Sequence, residues 1–339
     1  MDKLKLVFVG GWGHGSRVVN LFKNGQLKNA ELVGLGQTDP QEGNYELPGE
    51  YDQVPRFDDY REMLDRVDAD VAVVSTQLKN LHQAIMDSAA AGCHVIAEKP
   101  VAAKVEQLRN LHNTVTQNEV ELLLLLDNRA HPYLKAVKQA IDQDVIGDVV
   151  MVNARKSYPW NRSRVDDYPH KYGGTIGWVG IHALDFINAV TGLTFRQAVA
   201  MESNQLSPEY SSCPDNCGLV FKLSNGGQAT VSLDYHRPEA SPTHGDDWLR
   251  VVGTEGIIKS NLSKNKISCC TDQQADQKLE VPERENYFSN YFDYLLGKGF
   301  EKTFSGMTAT SFHLSLAAIR AQQSVFEKEV LAIDENFPG

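Results

Sequence analysis

The chain has 339 residues, 42% of them apolar and 23% charged, a formal charge of −11 and a pI near 5.4. That length suits two domains, and the acidic balance, with no long Lys/Arg run, makes nucleic acid and anionic bilayers poor partners. The longest apolar run, "ELLLLLD" at 121–127, holds five leucines, far short of the roughly 20 residues a membrane crossing requires.

The opening "MDKLKLVFVGGWGHG" is too short in its apolar part for a signal peptide and ends in glycines, so a cytoplasmic location is expected. It reads instead as a strand over 3–11 closed by a glycine-rich turn. "SRVVNLFKNG" follows with helical spacing of Val18, Val19, Leu21 and Phe22. The alternation then continues. "AELVGLG" (30–36), "DVAVVST" (70–76), "CHVIAEK" and "VELLLLLD" read as strands; "DDYREMLDRV", "NLHQAIMDSAAAG" and "KVEQLRNLHNTVTQN" read as helices. Strands joined by helical crossovers predict a doubly wound parallel sheet of the Rossmann type, covered on both faces. Ligands of such sheets bind at the carboxyl ends of the strands. The loops at 10–16, 36–39, 75–82, 97–100 and 127–132 are therefore the ones to read.

The first loop carries Gly10, Gly11, Gly13 and Gly15 together with Trp12 and His14. Glycines between a strand and a helix let the backbone approach a pyrophosphate at the helix N-terminus. The spacing departs from G-x-G-x-x-G: from Gly10, Trp12 stands at the second glycine, and from Gly11, Ser16 stands at the third. A dinucleotide fold presents an acid to the adenine ribose about 20 residues on. Here Gln37, Thr38 and Asp39 follow the second strand, and no arginine follows them. Gln37 can hydrogen-bond a ribose hydroxyl but does not pair with a 2′-phosphate, so NAD is favoured, with NADP left open. Thr76 and His82 on the next loop join the expected cofactor residues.

From 149 onward the pattern changes to strands joined by turns: "VVMVNARKSY", "RQAVAMESN", "NCGLVFKLSNGGQATVSLDYHR" with a turn at Asn225-Gly226-Gly227, "DWLRVVGTEGIIKS" and "KISCCTD". These predict an α+β domain built on a large, mostly antiparallel open sheet. Two late helices, "YFSNYFDYLLG" and "GMTATSFHLSLAAIRAQQSVFEKE", precede a short strand "VLAI". The expected domains are 1–128 and 129–333, with the last helix able to pack back onto the first. Five cysteines (Cys93, Cys213, Cys217, Cys269, Cys270) read as reduced thiols, and Cys213-x-x-x-Cys217 lacks zinc-knuckle spacing, so no metal is expected.

"HVIAEKP" (94–100), a strand ending in Glu98-Lys99-Pro100, resembles the signature of the Gfo/Idh/MocA family of NAD(P)-dependent oxidoreductases acting on sugars and polyols. "DNRAHP" (127–132) looks like that family's N-x-R-x-x-P, "IGDVV" (146–150) like the start of its second domain, "GIHALD" (180–185) like its active-site helix, and "GTEGII" (253–258) like a turn in its second sheet. The resemblance implies that Lys99 contacts the reacting hydroxyl and that Glu98 lies near the nicotinamide ribose. It implies a homodimer or homotetramer through the C-terminal sheet. A lysine at a strand's carboxyl end can stabilise negative charge on an oxygen during hydride transfer. His182 has the pKa range of a general base, although a lone helical histidine is more often structural. Asp185, on the same helical face, could orient a ring or bind a sugar hydroxyl. The family carries an aspartate four residues before the histidine; here Trp178 stands there, and indole cannot accept a proton.

"ARKSYPWNRSRVDDYPHKYGG" (154–174) holds Arg155, Lys156, Arg162, Arg164, His170 and Lys171 against two aspartates. It is either a solvated loop or an attractor for an anionic sugar, with Trp160 and Trp178 offering flat surfaces to a ring. Asn128, Arg129, Trp160, Arg162, Trp178 and Asp185 are the expected substrate contacts. The leading expectation is hydride transfer between NAD(P) and a ring hydroxyl carbon of a carbohydrate, sugar acid or cyclitol. A lyase or glycosidase using transient oxidation by tightly bound NAD is the alternative, and a non-catalytic nucleotide or sugar sensor the third.

Overall fold

A computed structural model describes residues 3–159, 174–205, 214–335 and 337. The chain divides into two compact units. The first comprises 1–125, 286–312 and 337–339; the second comprises 126–285 and 313–336.

In the first unit six strands form one sheet: β1 (Leu4–Val9), β2 (Ala30–Gly36), β3 (Arg56–Phe57), β4 (Val71–Val74), β5 (His94–Ala97) and β6 (Leu122–Leu124). Their order is β3-β2-β1-β4-β5-β6, and all five pairings are parallel. Helices α1 (Ser16–Lys23), α2 (Tyr60–Arg66), α3 (Leu78–Ala90) and α4 (Val105–Gln117) make the crossovers. Leu6, Val7, Phe8 and Val9 are all fully buried, as expected for a central strand covered on both faces, where each large side chain contributes about 1.5–3 kcal/mol of transfer free energy. Sequence order turns back between β2-β1 and β4, which puts the switch point at the carboxyl end of β1, under the glycine loop. The returning chain supplies α7 (Tyr287–Leu295), α8 (Glu301–Phe304) and the start of a long helix, and these close the edge strand. Leu122 N–H donates to Thr308 Oγ1 at 3.0 Å, while Glu121 accepts from Thr308 Oγ1 and from Tyr294 OH.

The second unit carries an eight-stranded sheet: β7 (Val149–Ser157), β8 (Phe195–Ser203), β9 (Asn216–Leu223), β10 (Gln228–Asp234), β11 (Trp248–Gly253), β12 (Gly256–Asn261), β13 (Lys266–Thr271) and β14 (Leu331–Ala332). The order is β13-β12-β11-β7-β10-β9-β8-β14, antiparallel except where β10 runs parallel to β7. The β9–β10 hairpin closes at Asn225-Gly226-Gly227, with Gly226 at φ +87°, a conformation that favours glycine. One face of the sheet is apolar, from Val152, Ala154, Leu219, Phe221, Val231, Leu233, Leu249 and Val251, all buried. Against it lies α6 (Ile181–Thr191), ended by Gly192 in the left-handed region. Gly180 packs so closely there that a Cβ would sit 3.0 Å from Leu233. The last long helix, α9 (Met307–Glu327), contributes residues to both units.

Three pieces were not among the expected elements. Strand β3 has two residues, too few to show a period. Helix α5 (Pro132–Asp142) begins inside the N-x-R-x-x-P stretch, with Pro132 at its first position and His131 accepting from Tyr133 N–H. Residues Ile176–Gly180 form a turn of π-helix leading into α6. Among the described residues no helix is long and apolar enough to cross a membrane.

Candidate functional site

In the first unit the glycine loop runs from the end of β1 into α1. Gly10 and Gly13 have φ of +83° and +79°. A Cβ on Gly10 would lie 2.6 Å from Ser75 O, and one on Gly13 would strike the Glu98 carboxylate. These glycines are needed first for the chain's own packing. Ser75 Oγ accepts from Gly15 N–H at 3.0 Å and donates to Trp12 O, which also receives Tyr45 OH at 2.9 Å. Ser75 and Tyr45 thus fix the loop, although neither stood out in the sequence: their importance follows from register, since β1 and β4 end side by side.

Glu98 is fully buried after β5. Its carboxylate accepts from His14 N–H, from the His14 imidazole at 3.0 Å and from Lys99 N–H at 2.9 Å. Burial alone would raise its pKa, but the His14 contacts and the Lys99 charge outweigh that and hold it down to about 2. The Lys99 ammonium, also fully buried, lies 3.9 Å from Glu98 Oε1. Thr76, fully buried, meets Thr38 Oγ1 at 2.6 Å and donates to Glu42. Gln37 is fixed by backbone bonds on both sides, to Phe57 O and from Tyr60 N–H. His82 on α3 lies against Val101 O at 3.3 Å, where burial lowers its pKa. The structure thus joins Gly10–Gly15 to Glu98 and Lys99, and ties Thr76 to Thr38. This set fits a dinucleotide: a left-handed glycine cradle at a helix start, hydroxyls at the ends of β2 and β4, and an ionised acid with a lysine after β5.

In the second unit Asn128 and Arg129 sit on a short 3-10 turn (Asp127–Ala130). Arg129 Nε donates to Asp185 Oδ1, and its Nη2 donates to Asn188 Oδ1 at 2.7 Å. Two expected substrate contacts therefore hold each other, tying the 3-10 turn to α6. Asp185 is fully buried and its Oδ2 has no hydrogen-bond partner among the described residues. Burial pushes its pKa up to about 6, against the pull of Arg129 and, more weakly, Lys156. His182 is 4% exposed on the same helix. Trp178 is half-buried in the π-helical turn; such turns often mark functional sites.

Two cations at the start of the basic stretch are paired. Arg155 pairs with Asp246 at 2.7 Å and the buried Lys156 with Asp247 at 2.6 Å, its ammonium also 5.0 Å from the Phe186 ring. Trp160, Arg162, Arg164, His170 and Lys171 lie outside the described residues.

Residues 4–125 match a family model described as an oxidoreductase family with an NAD-binding Rossmann fold, and residues 134–259 match the GFO/IDH/MocA C-terminal domain. The chain is 23% identical over 205 residues to the rhizopine catabolism protein MocA of Rhizobium meliloti, covering 59% of this chain and 62% of that one. It is 25% identical over 194 residues to an inositol 2-dehydrogenase of R. meliloti strain 1021, covering 56% and 57%. These matches span about three-fifths of the curated relatives' lengths. Among solved structures, an oxidoreductase from Thermotoga maritima superposes with a TM-score of 0.86 at 25% identity, over 97% of this chain and 100% of that one. A levoglucosan dehydrogenase in complex with NADH and L-sorbose shares the fold, with a TM-score of 0.78 at 16% identity over 99% and 100%. Both domains match in the expected order over most of the length, and the chain belongs to the Gfo/Idh/MocA oxidoreductase family, with an NAD-binding Rossmann domain at its N-terminal end.

Proposed function

We propose that the protein is an NAD-dependent dehydrogenase that oxidises a secondary ring hydroxyl of a carbohydrate, sugar acid or cyclitol to a ketone. The observation that carries this reading is Lys99: a fully buried ammonium at the carboxyl end of β5, beside a carboxylate held ionised. A lysine buried at the carboxyl end of a strand of a parallel sheet stands where ligands of such sheets bind and can stabilise negative charge on a reacting oxygen. The relatives add weight, since an inositol 2-dehydrogenase and a levoglucosan dehydrogenase are among them.

On this reading Lys99 donates a hydrogen bond to the reacting oxygen and stabilises the charge that develops there. His182 takes the hydroxyl proton. Bound NAD would accept the hydride from the carbinol carbon. Glu98 lies beside Lys99 and is itself kept in place by His14. Among the described residues the buried pairs Arg129–Asp185 and Lys156–Asp247 balance their own charges.

The protein is further proposed to be a homodimer through the outer face of its eight-stranded sheet. That face carries a hollow of about 440 Å³ lined by Val199, Met201, Gly218, Val220 and Trp248, and Met201 in its wall is 79% exposed. A knob and a hollow on one surface are what an isologous contact uses. Met201→Glu should give a monomer by light scattering.

Substrate-dependent formation of reduced nicotinamide over a panel of sugars, sugar acids and cyclitols tests the activity. Lys99→Ala and His182→Ala should each lower kcat/KM by about 10²–10⁴-fold. Wild-type turnover that survives both changes would sink the assignment, and glycoside cleavage without added NAD would replace oxidation with a redox-neutral elimination.

A further inference from the structure

The carboxyl end of β2 carries Gln37, where an NAD-binding fold presents an acid to the adenosine ribose. Five residues on, a carboxylate returns to the same place. Glu42 Oε2 accepts from Thr76 Oγ1 at 2.6 Å and lies 3.4 Å from Thr38 Oγ1. Gln77 N–H points at both of its oxygens, at 3.2 and 3.4 Å. Thr38 and Thr76 follow β2 and β4, the two strands that flank β1, so Glu42 sits over the end of β1, at the switch point.

We infer that Glu42 supplies the acid that the end of β2 lacks, receiving the adenosine ribose hydroxyls and rejecting a 2′-phosphate. The inference rests on the NAD reading above. The segment that carries Glu42 is held at several points. Asp39 accepts from Gln41 N–H at 2.9 Å, Glu42 N–H donates to Asp39 O at 3.0 Å, and Tyr45 OH anchors on Trp12 O. The nearby cation does not neutralise Glu42, because Lys79 pairs with Asp39 at 2.7 Å. Among the described residues no basic side chain lies within ion-pair distance of Glu42.

The chemistry of the two cofactors then separates them. A ribose 2′-hydroxyl donates to a carboxylate. A 2′-phosphate brings two negative charges against it, and no arginine stands in the segment 37–55 that carries Glu42. The hydroxyls of Thr38 and Thr76, which now satisfy Glu42, can turn to the ribose oxygens when the diol takes their place. If Glu42 only capped α3 through Gln77 N–H, its loss would lower stability and leave cofactor choice alone.

The test is the dissociation constant of NADH and of NADPH, read by nicotinamide fluorescence, for the wild type, Glu42→Gln and Glu42→Ala. The wild type should bind NADH at least about 10-fold tighter than NADPH. Glu42→Gln should narrow that ratio about 10-fold, mainly by tightening NADPH, and Glu42→Ala should weaken NADH about 10-fold, the size of one charge-assisted hydrogen bond. If Glu42→Ala does not fold, the isosteric Glu42→Gln decides. NADH binding with an unchanged ratio in Glu42→Gln overturns the role of Glu42 alone. A wild type that binds neither cofactor overturns the NAD reading with it.

Discussion

Glu98 in the first unit and Asp185 in the second are both buried beside a cation, and the two acids are displaced in opposite directions. Glu98 is held down to about 2, whereas Asp185 is pushed up to about 6. Both are fully buried, so depth does not separate them. Donors do. Glu98 receives two backbone N–H groups and an imidazole besides the nearby lysine, while among the described residues Asp185 has Arg129 on one oxygen and no donor on the other. A charge taken out of water is stabilised by the number of dipoles aimed at it, and a single ion pair, even a close one, leaves the balance with desolvation.

The most damaging way to probe this contrast is to remove the guanidinium that Asp185 holds. Arg129→Ala leaves a buried carboxylate with a distant lysine and frees the 3-10 turn from α6, at a cost of about 3–5 kcal/mol. Urea unfolding at pH 8, where Asp185 must ionise, should show the full loss, and the loss should shrink toward pH 5 as the carboxyl takes up a proton. The double variant Arg129→Ala, Asp185→Asn should recover most of it. Recovery of nothing would mean that Arg129 acts through packing and not through the charge it neutralises.

The two acids also differ in how far the sequence exposes them. Alternation of strands and helices made the first sheet legible, because a parallel sheet needs apolar strands and amphipathic crossovers, and both leave periods in the chain. Turn residues such as Asn225-Gly226-Gly227 did the same for the second sheet. Gly10–Gly15, Glu98, Lys99 and His182 were readable as candidates, since each follows a recognisable element. What sequence does not carry is register. Ser75, Tyr45 and Glu42 matter because of what lies across from them in space, and the same holds for the Arg129–Asp185 pair. Both its members stood out as substrate contacts, yet only the packing of the 3-10 turn on α6 brings them to each other. The π-helical turn at Trp178 has no signature of its own, and so the indole's setting could not be read from a helical count.

The gentler probe sets the two acids against each other by pH. Glu98 has a folded pKa below its ordinary 4.5, so its contribution to stability is present above that pH and is lost as the pH falls toward 2. Asp185 has a folded pKa above its ordinary 3.8, so its contribution is present below that pH and is lost as the pH rises through 6. Each displacement corresponds to about 3 kcal/mol. Glu98→Gln should therefore flatten the stability profile between pH 4.5 and 2 and leave the arm from 4 to 6 in place, and Asp185→Asn should do the reverse. Urea midpoints taken at half-unit steps from pH 2.5 to 7 resolve the two arms. If both variants flatten the same arm, the donors around Glu98 are not what separates it from Asp185, and the contrast between the units reduces to burial alone. If Asp185→Asn also raises stability at pH 7, the aspartate is kept at a cost to the fold, which points to work for it beyond holding Arg129.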